Sequence, residues 1–261
     1  MAGNMFDLSG KVVLVTGGNG GIGLGMADAL AAAGAGLAIW GTNKDKNDAA
    51  ETQLRAHGIK AKAYVCNVAD ADAVNRAFAD TLNDFGRIDG CIANAGVIGG
   101  AARSFLDITA EDWRRVMAIN LDGVFHTYQA VLRHIVDRAG KGDPGGRLVG
   151  ISSLASIAGA ARNEHYAATK GALNSMTYAL AVEFARYGVT VNAILPGWIE
   201  TDMTQGMMAN PKFVENVMPR IPVRRWGQPS DFGGLAVYLM SEASAYLTGQ
   251  GVMVDGGFWR F

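Results

Sequence analysis

Cysteine is scarce: Cys66 and Cys91 are the only two in 261 residues, far apart and each at the end of an apolar run. That number and spacing exclude a disulfide framework and fit buried thiols in a reducing compartment. An excess of either charge is also missing. Twenty-three Lys and Arg face 24 Asp and Glu, for a formal charge of -1, and no charge block stands out along the chain. Without a basic field the sequence is not built to hold nucleic acid, and small molecules are the expected partners. No run approaches the roughly eighteen apolar residues a membrane helix needs, and Met1 to Gly10 has no basic start followed by a long apolar stretch. No membrane association and a cytoplasmic location are therefore expected. His57, His126 and His134 share no metal-ligand spacing with one another or with acids, so no metal site is expected. With only six prolines there is no proline-rich break, and there is no internal repeat. Residues 1–261 read as one domain.

What is present is strand and helix in alternation. Val12 to Val15 is a short β-branched run, and Thr16-Gly17-Gly18-Asn19-Gly20-Gly21-Ile22-Gly23 leads from it into an alanine-rich helix that ends before Gly34. Glycines at such a turn let the backbone approach a pyrophosphate, which the helix N-terminus attracts with its free amides and its dipole. The lysine of a nucleoside-triphosphate loop is absent. Leu37 to Trp40, Ala61 to Cys66, Ile88 to Ala93, Leu148 to Ile151 and Val189 to Leu195 read as further strands, the last ended by Pro196-Gly197. Helices fall between them, one to about His57, one over Ala71 to Phe85, and a long one started by Thr109 and Glu111-Asp112 that carries Asn120. The alternation predicts an α/β fold: a single parallel sheet of about seven strands, doubly wound with helices on both faces.

Three residues stand at spacings suited to hydride chemistry. Lys170 follows Tyr166 by four residues, so on a helix the ammonium and the phenol share a face. A phenol titrates near ~10, and a neighbouring cation is expected to lower that value towards the range of a working acid and base. Ser153, thirteen residues before Tyr166, lies at the carboxyl end of the fifth strand and can meet that helix face. A tyrosine four residues before a lysine is on its own more often a solvated surface pair than a site, and a glycine-rich turn on its own is more often a loop.

Taken together the motifs carry a resemblance. The turn Thr16 to Gly23, the Asn94-Ala95-Gly96 segment, Asn120, the set Ser153, Tyr166 and Lys170, and Pro196-Gly197 resemble, in the same order, those of the short-chain dehydrogenase/reductase superfamily over essentially the whole chain. Within it, Pro196 to Thr204 and Leu247 to Gly257 are most similar to 3-oxoacyl-[acyl-carrier-protein] reductases. The resemblance implies a Rossmann fold and an NAD(P)-dependent oxidoreductase that interconverts a ketone and a secondary alcohol. It implies Tyr166 as general acid/base, Ser153 polarising the carbonyl, Lys170 on the nicotinamide ribose and Asn120 holding a relay water. The cofactor would be bound by Thr16, Gly17, Asn19, Gly21, Ile22, Gly23, Thr42, Asn43, Asn67, Val68, Asn94, Ala95, Gly96, Tyr166, Lys170, Pro196, Gly197, Ile199 and Thr201. Leu154, Ala155, Trp198, Met203 and Met207 would line the substrate pocket, and about 198–220 would form a lid. A homotetramer is also implied.

Three rivals accompany this reading, one of them a sugar-nucleotide epimerase, which shares the Tyr and Lys pair but usually has a longer carboxyl-terminal domain and a different glycine spacing. An acyl-carrier-protein reductase of fatty-acid synthesis needs a basic docking surface, for which Arg133, Arg138, Lys141, Arg147 and Arg186 are the candidates. A non-enzymatic cofactor-binding sensor or scaffold would have lost a catalytic side chain, and none is lost. His165 is expected at a pocket edge or on the surface, because adjacent helical residues point about 100° apart. Arg224-Arg225 is expected to be solvated, and the aromatic tail Phe258-Trp259-Arg260-Phe261 to be buried, in an interface or against its own subunit. After the second strand come Gly41, Thr42 and Asn43 in place of a carboxylate, with Lys44 and Lys46 following. Nothing there repels a 2′-phosphate, which gives a slight preference for NADP(H) over NAD(H).

Overall fold

The side chains of β1, Val12–Thr16, alternate between two cores, as the two-residue period of a strand requires. Val13 and Val15 enter one core while Leu14 enters the other; on β2, Gly36–Gly41, Leu37 and Ile39 divide from Ala38 and Trp40 in the same way. A computed structural model describes residues 4–100 and 102–260 of this fold. β3 (Ala61–Val65), β4 (Gly90–Ala93), β5 (Gly146–Ile151), β6 (Val189–Pro196) and β7 (Gly251–Val254) complete a seven-stranded sheet in the order β3-β2-β1-β4-β5-β6-β7, and every pairing is parallel.

Helices cover both faces. α1 (Gly21–Ala32), α2 (Lys44–Arg55) and α10 (Gly233–Met240) contribute Met26, Leu30, Leu54 and Leu239 to the first core. α3 (Ala71–Phe85), α5 (Gly123–Gly140) and α7 (Glu164–Phe184) contribute Val74, Val131, Ile135 and Leu173 to the second. The order reverses between β1 and β4, so the loops after these strands splay apart and leave a crevice at the carboxyl ends.

The long helix starts where the sequence places it: the hydroxyl of Thr109 accepts from the backbone of Asp112 at 3.0 Å. It is not uniform. α4 (Ala110–Met117) and α5 are joined by a wider π turn, Ala118–Asp122, which carries Asn120; such turns are frequent at functional sites. The fourth strand begins at Gly90 rather than Ile88, because Asp89 is drawn into an ionic cluster at the amino end of the sheet. Asp89 takes a fork from Arg87 at 2.5 to 3.1 Å, the Val12 amide at 2.9 Å and Arg138 at 3.2 Å. Cys66 and Cys91 are both buried free thiols, and burial pushes the Cys66 thiol up to about 11. Among the described residues no helix is long and apolar enough to cross a membrane.

Burial pushes the Asp89 carboxyl up, but Arg87, the Val12 amide and Arg138 hold it below the ordinary carboxylate range. Asp89→Asn should therefore cost about 3 kcal/mol near neutral pH, because it takes the shared carboxylate from Arg87 and the buried Arg138 and leaves them only the exposed Asp143. The stabilisation is complete above the unfolded value of ~3.9 and is lost as the pH falls through the lower folded value, so the gap between the two proteins should close below about pH 4. Thermal unfolding across that range measures it.

Candidate active site

The glycine turn between β1 and α1 is set by backbone geometry that favours glycine. Gly17 and Gly21 have φ of 60° and 51°, in the left-handed region. A Cβ on Gly23 would collide with the Asn94 amide and the Gly17 carbonyl. Asn94 locks the turn: its side-chain amide donates to the carbonyls of Thr16 and Gly17, each at 3.0 Å, and its backbone N–H donates to the Thr16 hydroxyl at 3.0 Å. Thr201, from beyond β6, lies over Gly21 with its methyl 3.3 Å from where a Cβ would stand. Gly197 is equally tight, packed on Asp255 of the segment after β7. Free amides at the start of a helix, with no side chains in the way, fit the pyrophosphate of a dinucleotide.

At the end of β2 the space is equally constrained. A Cβ on Gly41 would strike the side chains of Asn19 and Asn47. Asn47 is buried and fully used, donating to the Gly41 and Tyr64 carbonyls at 3.0 and 3.1 Å while accepting from Asn19 at 2.7 Å. Thr42 is exposed, and Asn43 caps α2 by accepting from the Lys46 amide at 2.9 Å. Lys44 pairs with Asp48, and Lys46 with Asp202 at 2.6 Å. Of the residues after β3, Asn67 is exposed and Val68 is buried against Gly123.

Ser153, Tyr166 and Lys170 come together beside the carboxyl end of β5. The buried Lys170 ammonium donates to the carbonyl of Ile151, the last residue of β5, at 2.7 Å. It lies 3.6 Å from where a Cβ on Gly96 would stand and 5.5 Å from the centre of the Tyr166 ring. Burial drives the ammonium down to about 8. Ser153 Oγ accepts from the Ala155 amide at 3.1 Å, which leaves its proton free to donate. Burial raises the Tyr166 phenol above its ordinary value, and the facing Ser153 hydroxyl opposes the rise. The expected lowering by Lys170 is therefore not what the protein's own groups produce: desolvation penalises the charged form of both partners.

Asn120 has its side chain committed to the backbone around it. Its fully buried side chain accepts from the Val97 amide and donates to the Val97 carbonyl, both at 2.8 Å, and donates to Thr169 at 3.3 Å. It clamps the loop after β4, so any water-holding role would fall to its main chain.

Other expected residues lie elsewhere or are otherwise engaged. His165 is not at the surface but at a pocket edge: it is 1% exposed, held under Gly99, and its ring lines a recess beside the loop after β4. Leu154 packs into a small core with Ala193, Leu195 and Phe258 rather than standing free in a pocket, while the neighbouring Ala155 is half-buried. Residues 198–220 fold into α8 (Gln205–Met208), α9 (Pro211–Val217) and a final short turn. Trp198 is part of an aromatic cluster there, 4.9 Å from the Phe213 ring and 6.4 Å from Phe258, while Met203 is exposed and Met207 half-buried. Arg224-Arg225 is not simply solvated, since Arg225 pairs with Asp231 at 2.6 and 2.8 Å and Arg224 donates to the Pro219 carbonyl at 2.8 Å. In the tail, Phe258 folds back under Arg220, but Trp259 remains 40% exposed on the chain itself, and Phe261 lies outside the described residues. Asn47, Asn163 and Thr169 are not marked by short-range spacing, because each has a partner 17 to 64 residues away. A polar residue interrupting the inward face of a helix is the signal that marks Asn47.

Comparison with known proteins follows this geometry closely. Residues 17–259 match the family described as enoyl-(acyl carrier protein) reductase. Gluconate 5-dehydrogenase of Gluconobacter oxydans is 38% identical over 97% of this chain and 96% of its own. A 3-oxoacyl-[acyl-carrier-protein] reductase of Synechocystis is 37% identical over 98% of this chain and 100% of its own. The crystal structure of a gluconate 5-dehydrogenase from Burkholderia cenocepacia, in complex with NADP and tartrate, superposes with a TM-score of 0.91 at 34% identity, covering 98% of each chain. Likeness of this extent in both sequence and fold makes the chain a member of the short-chain dehydrogenase/reductase superfamily, an NAD(P)-dependent oxidoreductase that interconverts ketones and secondary alcohols.

Proposed function

We propose that the chain reduces a small hydroxylated ketone with a preference for NADP(H), using Tyr166 as general acid/base. The observation that carries this is the convergence of Ser153, Tyr166 and Lys170 beside the glycine turn, with Lys170 anchored on the Ile151 carbonyl. The nicotinamide cofactor, when bound, supplies or accepts the hydride. It would be held by the amides of the glycine turn, by Asn94 to Gly96, and by Ile199 and Thr201, with Lys170 reaching the nicotinamide ribose. Ser153 donates its free proton to the carbonyl oxygen and holds it against Tyr166. The raised phenol is protonated at neutral pH, the state needed to give a proton to that oxygen. In the reverse direction Tyr166 must first lose its proton to solvent; the phenolate then takes the proton from the alcohol, and Lys170, charged below about pH 8, steadies that phenolate.

The acyl-carrier-protein reading is less well supported. Of its five docking candidates, Arg138 and Arg147 are buried at the amino ends of β4 and β5, opposite the catalytic residues, and tied to Asp89, Asp143 and Glu242. Lys141 pairs with Asp137, and Arg186 lies on the Tyr187 ring. Two buried free thiols support a cytoplasmic, reducing location. The exposed Tyr178 and Val182 on α7 support assembly of a homotetramer through that helix. Residues 198–220 are read as the substrate lid. For the cofactor, Thr42 and Asn43 offer hydrogen bonds and no carboxylate repels a 2′-phosphate. The Burkholderia enzyme was crystallised with NADP.

Tyr166→Phe keeps the ring and removes the proton, so turnover should fall by ~10²-fold or more while cofactor still binds; an active variant overturns the mechanism. Lys170→Met should abolish efficient turnover yet unfold at a higher temperature near pH 7, because it removes a desolvated cation. That penalty is complete below the folded value of about 8 and fades as the pH rises towards the unfolded value of ~10.4, so the two melting curves should converge there. Gly41 has no room for a side chain, so cofactor choice is tested at the exposed Thr42. Thr42→Asp should shift kcat/KM from NADPH towards NADH by about tenfold or more. A wild-type enzyme already favouring NADH by that factor, and indifferent to the substitution, would exclude the NADP(H) preference.

A further inference from the structure

His165 is the residue the catalytic chemistry leaves unexplained. It is 1% exposed, and neither ring nitrogen has a hydrogen-bond partner among the described residues. A buried polar group is normally paired, so two unpaired nitrogens on one ring point to a missing partner. The ring lines a cavity of about 390 Å³ between the loop after β4 and the start of α4, together with Gly100, Ala102, Arg103, Asp107 and Asp112. This cavity is shaped around the histidine. A Cβ on Gly99 would collide with the imidazole, and the Gly99 amide is held by Asn163 Oδ1 at 3.0 Å, so the loop is pinned where the ring has room.

The loop that walls the cavity also borders the catalytic centre. Gly96 borders Lys170 and Asn120, and Gly100, four residues on, forms a cavity wall. Four residues span at most ~14 Å. On the helix side, His165 directly precedes Tyr166.

The lining chemistry narrows what can fill it. Asp107 and Asp112 offer carboxylate oxygens and Arg103 offers guanidinium N–H groups. One oxygen of Asp112 is taken by the Thr109 hydroxyl at 3.0 Å, and the other is 3.8 Å from Arg115, beyond hydrogen-bond reach. A neutral imidazole donates from one nitrogen and accepts at the other. A hydroxyl group also both donates and accepts, so a chain of hydroxyls matches this mixed set. A carboxylate does not, since it only accepts and would face two carboxylates against one lining guanidinium.

We propose that this recess binds the distal, hydroxyl-bearing end of the substrate and selects neutral polyols and their ketoses over sugar acids and over plain ketones. The proposal rests on the ketone and alcohol chemistry above, and names His165 and Arg103 as specificity residues rather than catalytic ones. The test compares xylitol, gluconate and 2-butanol as substrates of the wild type, His165→Phe and Arg103→Ala. Xylitol should be oxidised with a kcat/KM at least tenfold above those of gluconate and 2-butanol. His165→Phe, which keeps a ring without nitrogens, should raise the KM for xylitol tenfold or more while leaving kcat within twofold. The exposed Arg103→Ala, which disturbs no packing, should raise it several-fold in the same manner. A wild type that prefers gluconate, or that treats xylitol and 2-butanol alike, overturns the proposal. So does a loss in kcat with KM unchanged, which would mean that His165 acts only by supporting Tyr166. A wild type that oxidises none of the three also overturns the proposal, while the catalytic mechanism is judged separately, by whether Tyr166→Phe loses turnover of a ketone that the wild type does reduce.

Discussion

A buried ammonium bonded to a strand-end carbonyl is the interaction on which the rest of the site depends. Lys170 gives up most of its hydration to reach the carbonyl of Ile151, and its ammonium falls to about 8 as a result. Desolvation on this scale is tolerated only where the surrounding fold fixes the geometry. β5 and α7 do so here, with the Ser152 hydroxyl donating to the Lys170 carbonyl at 3.0 Å to dock the helix on the strand end. Once the helix is docked, Tyr166 lies one turn before Lys170 on the same face and opposite Ser153, and the loop from Gly96 is confined above them.

The second regularity is how the loops at this edge are held. Asn19 and Asn47 brace the end of β2, Asn94 closes the glycine turn, Asn120 clamps Val97 and Asn163 holds Gly99. An asparagine carries donors and an acceptor on one short amide, so it can satisfy a backbone N–H and a C=O in a loop that has no ladder partner, without adding charge. Charge is concentrated at the opposite edge, where Arg87, Arg138 and Arg147 are paired with Asp89, Asp143 and Glu242. The amino end of the sheet is thus held by buried ion pairs, and the loops around the catalytic residues mainly by neutral amides.

The alternation of strand and helix, the cap at Thr109, the glycine turn and the trio Ser153, Tyr166 and Lys170 were all legible in the chain, because each rests on local periodicity or short spacing. A two-residue alternation must form a two-faced strand, and residues four apart on a helix must share a face. What lay beyond that reach was decided by tertiary structure. Whether Tyr166 is lowered by its neighbour or raised by burial depends on how much water the packed loop excludes, a quantity no spacing encodes. Whether Arg138 and Arg147 form a docking surface or a buried network depends on which end of the sheet they reach. Asn120 and His165 are the sharpest cases: one has its side chain committed to Val97, 23 residues away, and the other is buried beneath Gly99, 66 positions earlier. Local pattern along the chain is enough to specify the fold and the reacting groups; the protonation states, the loop clamps and the second recess arise only when distant segments meet and displace water.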